Sequence, residues 1–259
     1  MRFIGAVLAC LMVSPALAHD LAPGGTLRAV FIATNPVQAF VDPATNEVRG
    51  PAAELTRALA ARAGVPFTIK GANGVQGVID SVKNGEADIG FVAFDPTRAT
   101  QVDFSQAYAL AQNTYLVAEG SPIRSVADAD KPGIRIGVSA RDAGDHFLTR
   151  TLKYAELKRN EGGNLEVALR QLAAGEIDAY AGNRMRLHGA VQKTPGLRLV
   201  ADNFYGVEQS VIVPKGSAAR LAMVEKFLDE ARTSGLIAES IARAGLVGVD
   251  VAPPKPRTQ

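Results

Sequence analysis

The sequence predicts an α/β fold in two lobes, joined by a two-strand hinge that leaves a cleft between them. Three observations predict it. Short β-rich runs alternate with segments of helical period, the pattern of parallel strands with crossover helices. The stretch "NGEADIGF" (Asn84–Phe91) returns as "AAGEIDAY" (Ala173–Tyr180), so the chain carries one structural unit twice. The last elements are a strand and helices after a second strand-like crossing, which returns the chain to where it began.

The N-terminus reads "MRFIGAVLACLMVSPALAHD": one basic residue, an apolar run from Phe3 to Val13, a Ser-Pro break and a small-x-small site at Ala16-Leu17-Ala18. This predicts a signal peptide over 1–18, too short to span a bilayer. A lipoprotein box at Val7–Cys10 would leave an apolar core of only about seven residues, so release at Ala18 is predicted over anchoring. Cleavage removes Cys10, the sole cysteine, and with it any disulfide or thiolate chemistry. The remaining chain, 47% apolar overall, must be held by its core.

The elements follow in order. Strands are predicted at Thr26–Ala33, Phe67–Lys70 and Asp88–Ala93, with helices at Ala52–Ala63 and Val75–Lys83 between them. After the apolar run Thr114–Ala118 the order resumes with a strand at Ile134–Val138, helices at Ala143–Lys153 and Leu165–Ala173, and a strand at Ala179–Ala181. Gly64, Gly85 and Gly175 stand where each preceding helix must stop. A strand at Ser210–Val213, the turn Pro214–Ser217, a helix at Ala219–Arg232 and "SGLIAESIARAGL" close the fold. Crossings near Tyr108–Gln112 and Tyr205–Gln209 divide the chain into lobe one (24–108 plus 209–250) and lobe two (112–205). The Pro-rich end, 251–259, is predicted to be a flexible tail.

Composition excludes several functions. With 28 basic and 26 acidic residues, and no basic run interleaved with aromatics, nucleic acid is excluded as a partner. Three histidines without His-x-x-x-His spacing predict no metal site and no cofactor; a copper role for His19 would need an ordered N-terminus. Ser139 follows a strand but lacks the final glycine of a nucleophile elbow, and "GANGVQG" fits no phosphate-loop spacing. "DPTR" (Asp95–Arg98) after an apolar strand is more informative, because an arginine fork beside free backbone N–H groups receives a carboxylate.

From "GGTLRAVFIATNPVQAFVDPATNEVRG" through "NGEADIGF", "DPTRATQVDFSQAY", "GIRIGVSARDAG", "AAGEIDAY" and "VIVPKGS", the chain resembles the extracellular solute-binding proteins of ABC importers, polar amino acid class. The resemblance implies a type II periplasmic-binding-protein fold that closes on a small-molecule ligand and docks, as a monomer, on a membrane permease from the periplasm. It implies binding rather than catalysis. By position, Arg98 resembles the carboxylate-binding arginine, helped by main chain at Ala93 and Phe94; Arg141, Asp142 and Ala143 open a helix whose N–H groups meet the same carboxylate. Asn35 and Val75 fall where relatives place aromatic rings, and Asn183 where relatives of the α-amino acid type place an aspartate for the ammonium group.

The segment from Asp88 to Arg98 is two residues shorter than the family pattern. With Arg184 and Arg186 adding positive potential, the predicted ligand is a small carboxylate-bearing solute, amino-acid-like or an organic anion. Two alternatives are a dehydratase of cyclic acids on the same fold, needing Glu208 or Asp142 as the acid/base group, and a ligand receptor for a separate sensor.

Overall fold

The computed structural model describes residues 19–161 and 164–254. The predicted signal peptide and the last five residues of the predicted tail lie outside them.

The first half contains strands β1 (Leu27–Ile32), β2 (Phe40–Val41), β3 (Val48–Arg49), β4 (Phe67–Ala72) and β5 (Ile89–Ala93), with helices α1 (Pro51–Ala63) and α2 (Gly74–Lys83). One long strand, β6 (Val102–Ala118), then leads to α3 (Val126–Ala129), β7 (Arg135–Ser139), α4 (Ala143–Thr151), β8 (Glu156–Asn160), α5 (Leu165–Ala173), β9 (Ala179–Asn183) and α6 (Arg184–Lys193). The chain returns through β10 (Leu197–Leu199) and β11 (Tyr205–Pro214) to α7 (Ala218–Thr233), α8 (Leu236–Arg243) and β12 (Val249–Val251).

Local signals explain these boundaries. Pro51 starts α1 without giving up a useful N–H, and Gly64 ends it in the left-handed conformation (φ 68°), its N–H reaching the carbonyls of Ala60 and Ala61. Gly85 and Gly175 take the same conformation after α2 and α5 (φ 70° and 65°), as the repeated unit requires.

The main sheet runs β4-β1-β5-β11-β6-β9-β7-β8. Parallel trios stand at its two ends, β4-β1-β5 and β9-β7-β8, joined by the antiparallel pair β11 and β6. Those two strands are the hinge: β6 pairs with β11 from Val102 to Asn113, then with β9 from Asn113 to Leu116. Each trio has apolar layers on both faces. Alternation along β1 sends Ala29 and Phe31 to a cluster with Leu55, Phe91 and Leu228, and Val30 and Ile32 to one with Val78, Val82 and Ile212. In lobe two, Ile136, Val138 and Leu148 form one layer, and Leu116, Leu172 and Tyr180 the other. Each such large side chain contributes roughly 1.5–3 kcal/mol of burial free energy.

The repeated unit has one structural purpose. Asp88 accepts hydrogen bonds from Arg28 N, Nε and Nη2 at 2.9, 3.0 and 2.8 Å. Asp178 accepts from Arg135 N, Nε and Nη2 at 2.8, 3.0 and 2.9 Å. The backbone answers in kind, Asp88 N donating to Arg28 O and Asp178 N to Arg135 O. In each lobe, then, the aspartate before one strand grips the arginine at the start of its neighbour. The register following this grip is shared, but the volumes are exchanged: Val30 lies beside Gly90 in lobe one, Gly137 beside Tyr180 in lobe two. A Cβ on Gly137 would lie 2.6 Å from Ile177 Cδ1 and 3.1 Å from the Tyr180 ring, so this glycine makes room for the tyrosine.

The bonds from Arg135 hold the Asp178 carboxyl below its ordinary range, against a smaller opposing effect of burial. A depressed native pKa contributes stability above the unfolded value near 4, lost as pH falls through the native one. Asp178→Asn should therefore flatten the acid-unfolding curve below about pH 4. Circular dichroism across the acid range checks this; an unaltered curve contradicts it.

The first two residues of the expected tail, Val251 and Ala252, depart from the sequence expectation. Val249–Val251 forms β12 on β6 (Ala109–Ala111), Ala252 is buried, and its N–H donates to Tyr108 O. Pro253 and Pro254 follow as exposed residues. Proline content marks where the strand must end, but the apolar Val249, Val251 and Ala252 before it hold the segment down. The crossing thus has three strands at its centre: Ala109–Ala111 lies between β11 and β12.

Candidate functional site

A cavity of about 600 Å³ lies where the crossing strands meet the loops of both lobes. Lobe one contributes Asn35, Pro36 and Val37 from the loop after β1, and Ala93 at the end of β5. The hinge supplies Ala111 and Asn113 from β6, and Val207 and Gln209 from β11. Lobe two supplies Ser139, the start of α4 (Asp142–Gly144), Tyr180, Gly182 and the start of α6 (Asn183–Leu187, without Arg184). The ends of β5, β7 and β9 all point here, the usual place for a ligand in an open α/β sheet.

The polar groups are positioned by short-range bonds. Asn35 Oδ1 accepts from Val37 N at 3.2 Å, fixing the loop after β1. Gln38 bridges that loop to the hinge: its Oε1 accepts from Ile32 N at 3.0 Å and its Nε2 donates to Gln209 Oε1 at 3.3 Å. On the opposite wall Ser139 Oγ and Tyr180 OH lie 2.9 Å apart, both residues buried. Asp142 caps α4, its Oδ1 accepting from Asp145 N at 2.8 Å. Asn183 caps α6 in the same way, accepting from Arg186 N at 3.2 Å. Asn is as good a cap as Asp, so the role of Asn183 in the helix is complete without a charge.

Arg186 and Asp142 are the charged side chains on this wall among the described residues. Burial pushes the Asp142 carboxyl above its ordinary range; the neighbouring Asp145 adds to this, while backbone N–H groups and Arg186 oppose it. Asp145 itself is turned away, its Oδ1 bound by Arg159 Nε at 2.9 Å and Thr149 Oγ1 at 3.1 Å, its Oδ2 by Arg141 N at 2.8 Å.

Of the residues singled out from the sequence, Asn35, Ala93, Asp142, Ala143 and Asn183 line the cavity. Four do not. Arg98 sits in a 3₁₀ turn (Arg98–Thr100) after the shortened segment and turns back, its Nη1 donating to Ala93 O at 2.9 Å. Phe94 stacks edge-to-face on Phe104, ring centroids 5.2 Å apart. Arg141 takes a left-handed conformation (φ 64°) that points its side chain outward, to Glu161 at 2.7 Å. Val75 packs against the apolar layer beneath β1. Glu208, the other acid considered, is also absent from the wall. Gln209 and Asn113 carried no motif in the sequence; their place follows only from the hinge register.

Arg184 is the other correction. It reads as a source of positive potential, yet its Nη2 donates to Thr114 Oγ1 and to the carbonyls of Val200, Ala201 and Asp202, and its Nε to Asn203 Oδ1. It ties α6 to the loop that enters β11. Among the described residues no cluster of three His, Cys, Asp or Glu is placed to hold a metal.

Residues 27–244 match the bacterial extracellular solute-binding proteins, family 3. The chain belongs to that family. The chain is similar to the ABC transporter glutamine-binding protein GlnH of Bacillus subtilis (strain 168), 24% identical over 159 residues, 61% of this chain and 57% of that protein. The glutamine-binding protein of Geobacillus stearothermophilus is 29% identical over 137 residues, 50% of each chain. The chain thus spans about half the length of the curated relatives it matches. Among solved structures, an ancestral arginine-binding protein bound to glutamine superimposes with a TM-score of 0.57 at 25% identity, covering 85% of this chain and 97% of that one. The two-lobed α/β architecture is the type II periplasmic-binding-protein fold.

Proposed function

We propose that this solute-binding protein is the capture component of a bacterial ABC importer, released into the periplasm after cleavage of 1–18 and working as a monomer with a membrane permease. Its solute is small, carboxylate-bearing and amino-acid-like. The observation that carries this reading is the cavity itself: both lobes and both crossing strands contribute to one wall, so a solute bound there favours the closed arrangement by touching both sides. The lobes are taken as 24–108 plus 209–250 and 112–205. Asn35, Ala93, Ala143 and Asn183 supply contacts from opposite sides, and Arg186 is the cation for the carboxylate.

Capture is favoured over turnover because, among the described residues, the wall holds a single carboxylate, Asp142, and no His, Cys or Lys beside it. Native mass spectrometry of the purified protein should find a small solute retained in the cleft. Adding that solute should raise Tm with concentration, by an amount equivalent to about 2.7 kcal/mol at a hundredfold excess over Kd. Absence of any shift across amino acids and organic acids would sink the reading.

A further inference from the structure

The crossing between the lobes carries an extra strand, and its place along β6 is specific. From Ala109 to Ala111, β6 has β11 on one edge and β12 on the other; at Asn113 it pairs with Tyr205 of β11 and with Asn183 of β9. β9 therefore occupies the same edge as β12. One strand belongs to lobe two and the other to lobe one, and they stand head to head. Gln112 N donates to Gly248 O at 2.8 Å, and the next residue, Asn113, faces Asn183.

At this joint Gly248 meets Arg184 so closely that an added Cβ would lie 2.6 Å from Cβ, Cγ and Cδ of the arginine. Neither side is soft. Arg184 is tied to Thr114 Oγ1 and to the carbonyls of Val200, Ala201 and Asp202. β12 is tied to lobe one by Arg232 of α7, whose Nε donates to Ala252 O at 2.8 Å and whose Nη2 donates to Gln106 Oε1 and Ala107 O, both at 3.0 Å. Gln112 is latched to β12 as well, its Nε2 donating to Asp250 Oδ2 at 2.8 Å. On its other edge it faces Gly206, where a Cβ would lie 3.1 Å from Gln112 Oε1. Gln112 thus moves with β12 and Asn113 with β9, which leaves the link between them to absorb a rotation. Bending there toward β12 drives Arg184 into Gly248, where no space remains.

We propose that the lobes pivot between Gln112 and Asn113, and that the meeting of Gly248 with Arg184 is the stop that bounds their swing. The C-terminal strand then limits lobe motion from outside the cleft. Because Asn183 and Arg186 flank Arg184 and line the cavity, the stop also sets how far that wall can travel. This inference rests on lobes that move, as capture requires, but its test needs no solute, so its failure leaves capture standing.

Spin labels on Thr68→Cys in β4 and Tyr154→Cys before β8, both exposed positions, report the separation of the lobes by double electron–electron resonance on residues 19–259. Removing residues 249–259 should add separations that the full chain does not visit. Gln112→Ala and Asp250→Ala should each add a smaller share of the same separations, and the double variant no more than either, since all three remove one hydrogen bond. A distance distribution unchanged by the truncation overturns the proposal, even if Tm falls, because β12 would then prop the fold without bounding its motion. If circular dichroism shows the truncated chain unfolded, the two single variants decide, and an unchanged distribution in both overturns it equally.

Discussion

Asp88→Ala should unfold this protein far more readily than Asp178→Ala, although the two aspartates make the same three hydrogen bonds. The difference lies in what surrounds them. The Asp88 side chain is 2% exposed and faces two arginines: Arg28 at 2.8 Å and Arg220 at 4.0 Å, the latter 12% exposed. Arg220 further donates to the carbonyls of Asp20 and Asp88, so it cannot swing into water when its counter-ion is removed. Removing Asp88 leaves a buried cation uncompensated, and such losses run to about 3–5 kcal/mol.

Asp178 is 31% exposed and Arg135 35%, with no second arginine at hand among the ion pairs of the described residues. Solvent screens that pair in the folded state and reclaims Arg135 when it is broken, so the expected cost is about 1 kcal/mol. Urea denaturation of the two variants measures both values. Equal losses would show that the repeat, and not burial, sets the energy.

Much of the architecture is legible because it is written in local chemistry. Gly64, Gly85 and Gly175 end helices that must stop there, and the repeated aspartates mark equivalent strand starts. Their arginine partners are not legible, since Arg28 and Arg135 lie 60 and 43 residues from the aspartates they bind. The short hairpin β2-β3 and the edge strand β8 also escape. Two-residue strands carry no periodicity, and Glu156–Asn160 is too polar to read as a strand until β7 lies beside it.

The site is legible in part for a similar reason. Of its two helix starts, the one at Asp142 is read from the sequence as the opening of a helix, whereas Asn183 is seen to cap α6 only in the structure. The hinge amides Asn113 and Gln209 face the cavity only because of how β6 and β11 pair. For Arg98 a motif fixes where the side chain begins and not which partner it takes; its Nη1 donates to the nearby carbonyl of Ala93, a residue of the cavity wall.

Gly248→Ala is expected to have the other large effect, at a position that no motif marks. Gly248 adopts φ +70°, where a Cβ costs roughly 1–2 kcal/mol. That new Cβ would also lie 2.6 Å from Cβ, Cγ and Cδ of Arg184. Arg184 cannot yield cheaply, because its guanidinium is held by Thr114, Asn203 and three carbonyls of residues 200–202. Nor can Gly248, whose carbonyl accepts from Gln112 N at 2.8 Å just before β12 joins the crossing strand. Overpacking of this kind adds about 1–3 kcal/mol, for a total of roughly 2–5.

A double-mutant cycle isolates the steric part: in an Arg184→Gly background all three opposing atoms are gone, and Gly248→Ala should then cost only about 1–2 kcal/mol. An unchanged cost in that background would locate the whole penalty in the backbone. The same clash reaches the cleft, because Arg184 lies between Asn183 and Arg186 on the first turn of α6. A Cβ at 248 must displace either the C-terminal strand from the hinge or that turn from the cavity wall. Displacement of the turn would weaken solute binding along with stability, whereas displacement of β12 alone would lower stability and leave affinity intact.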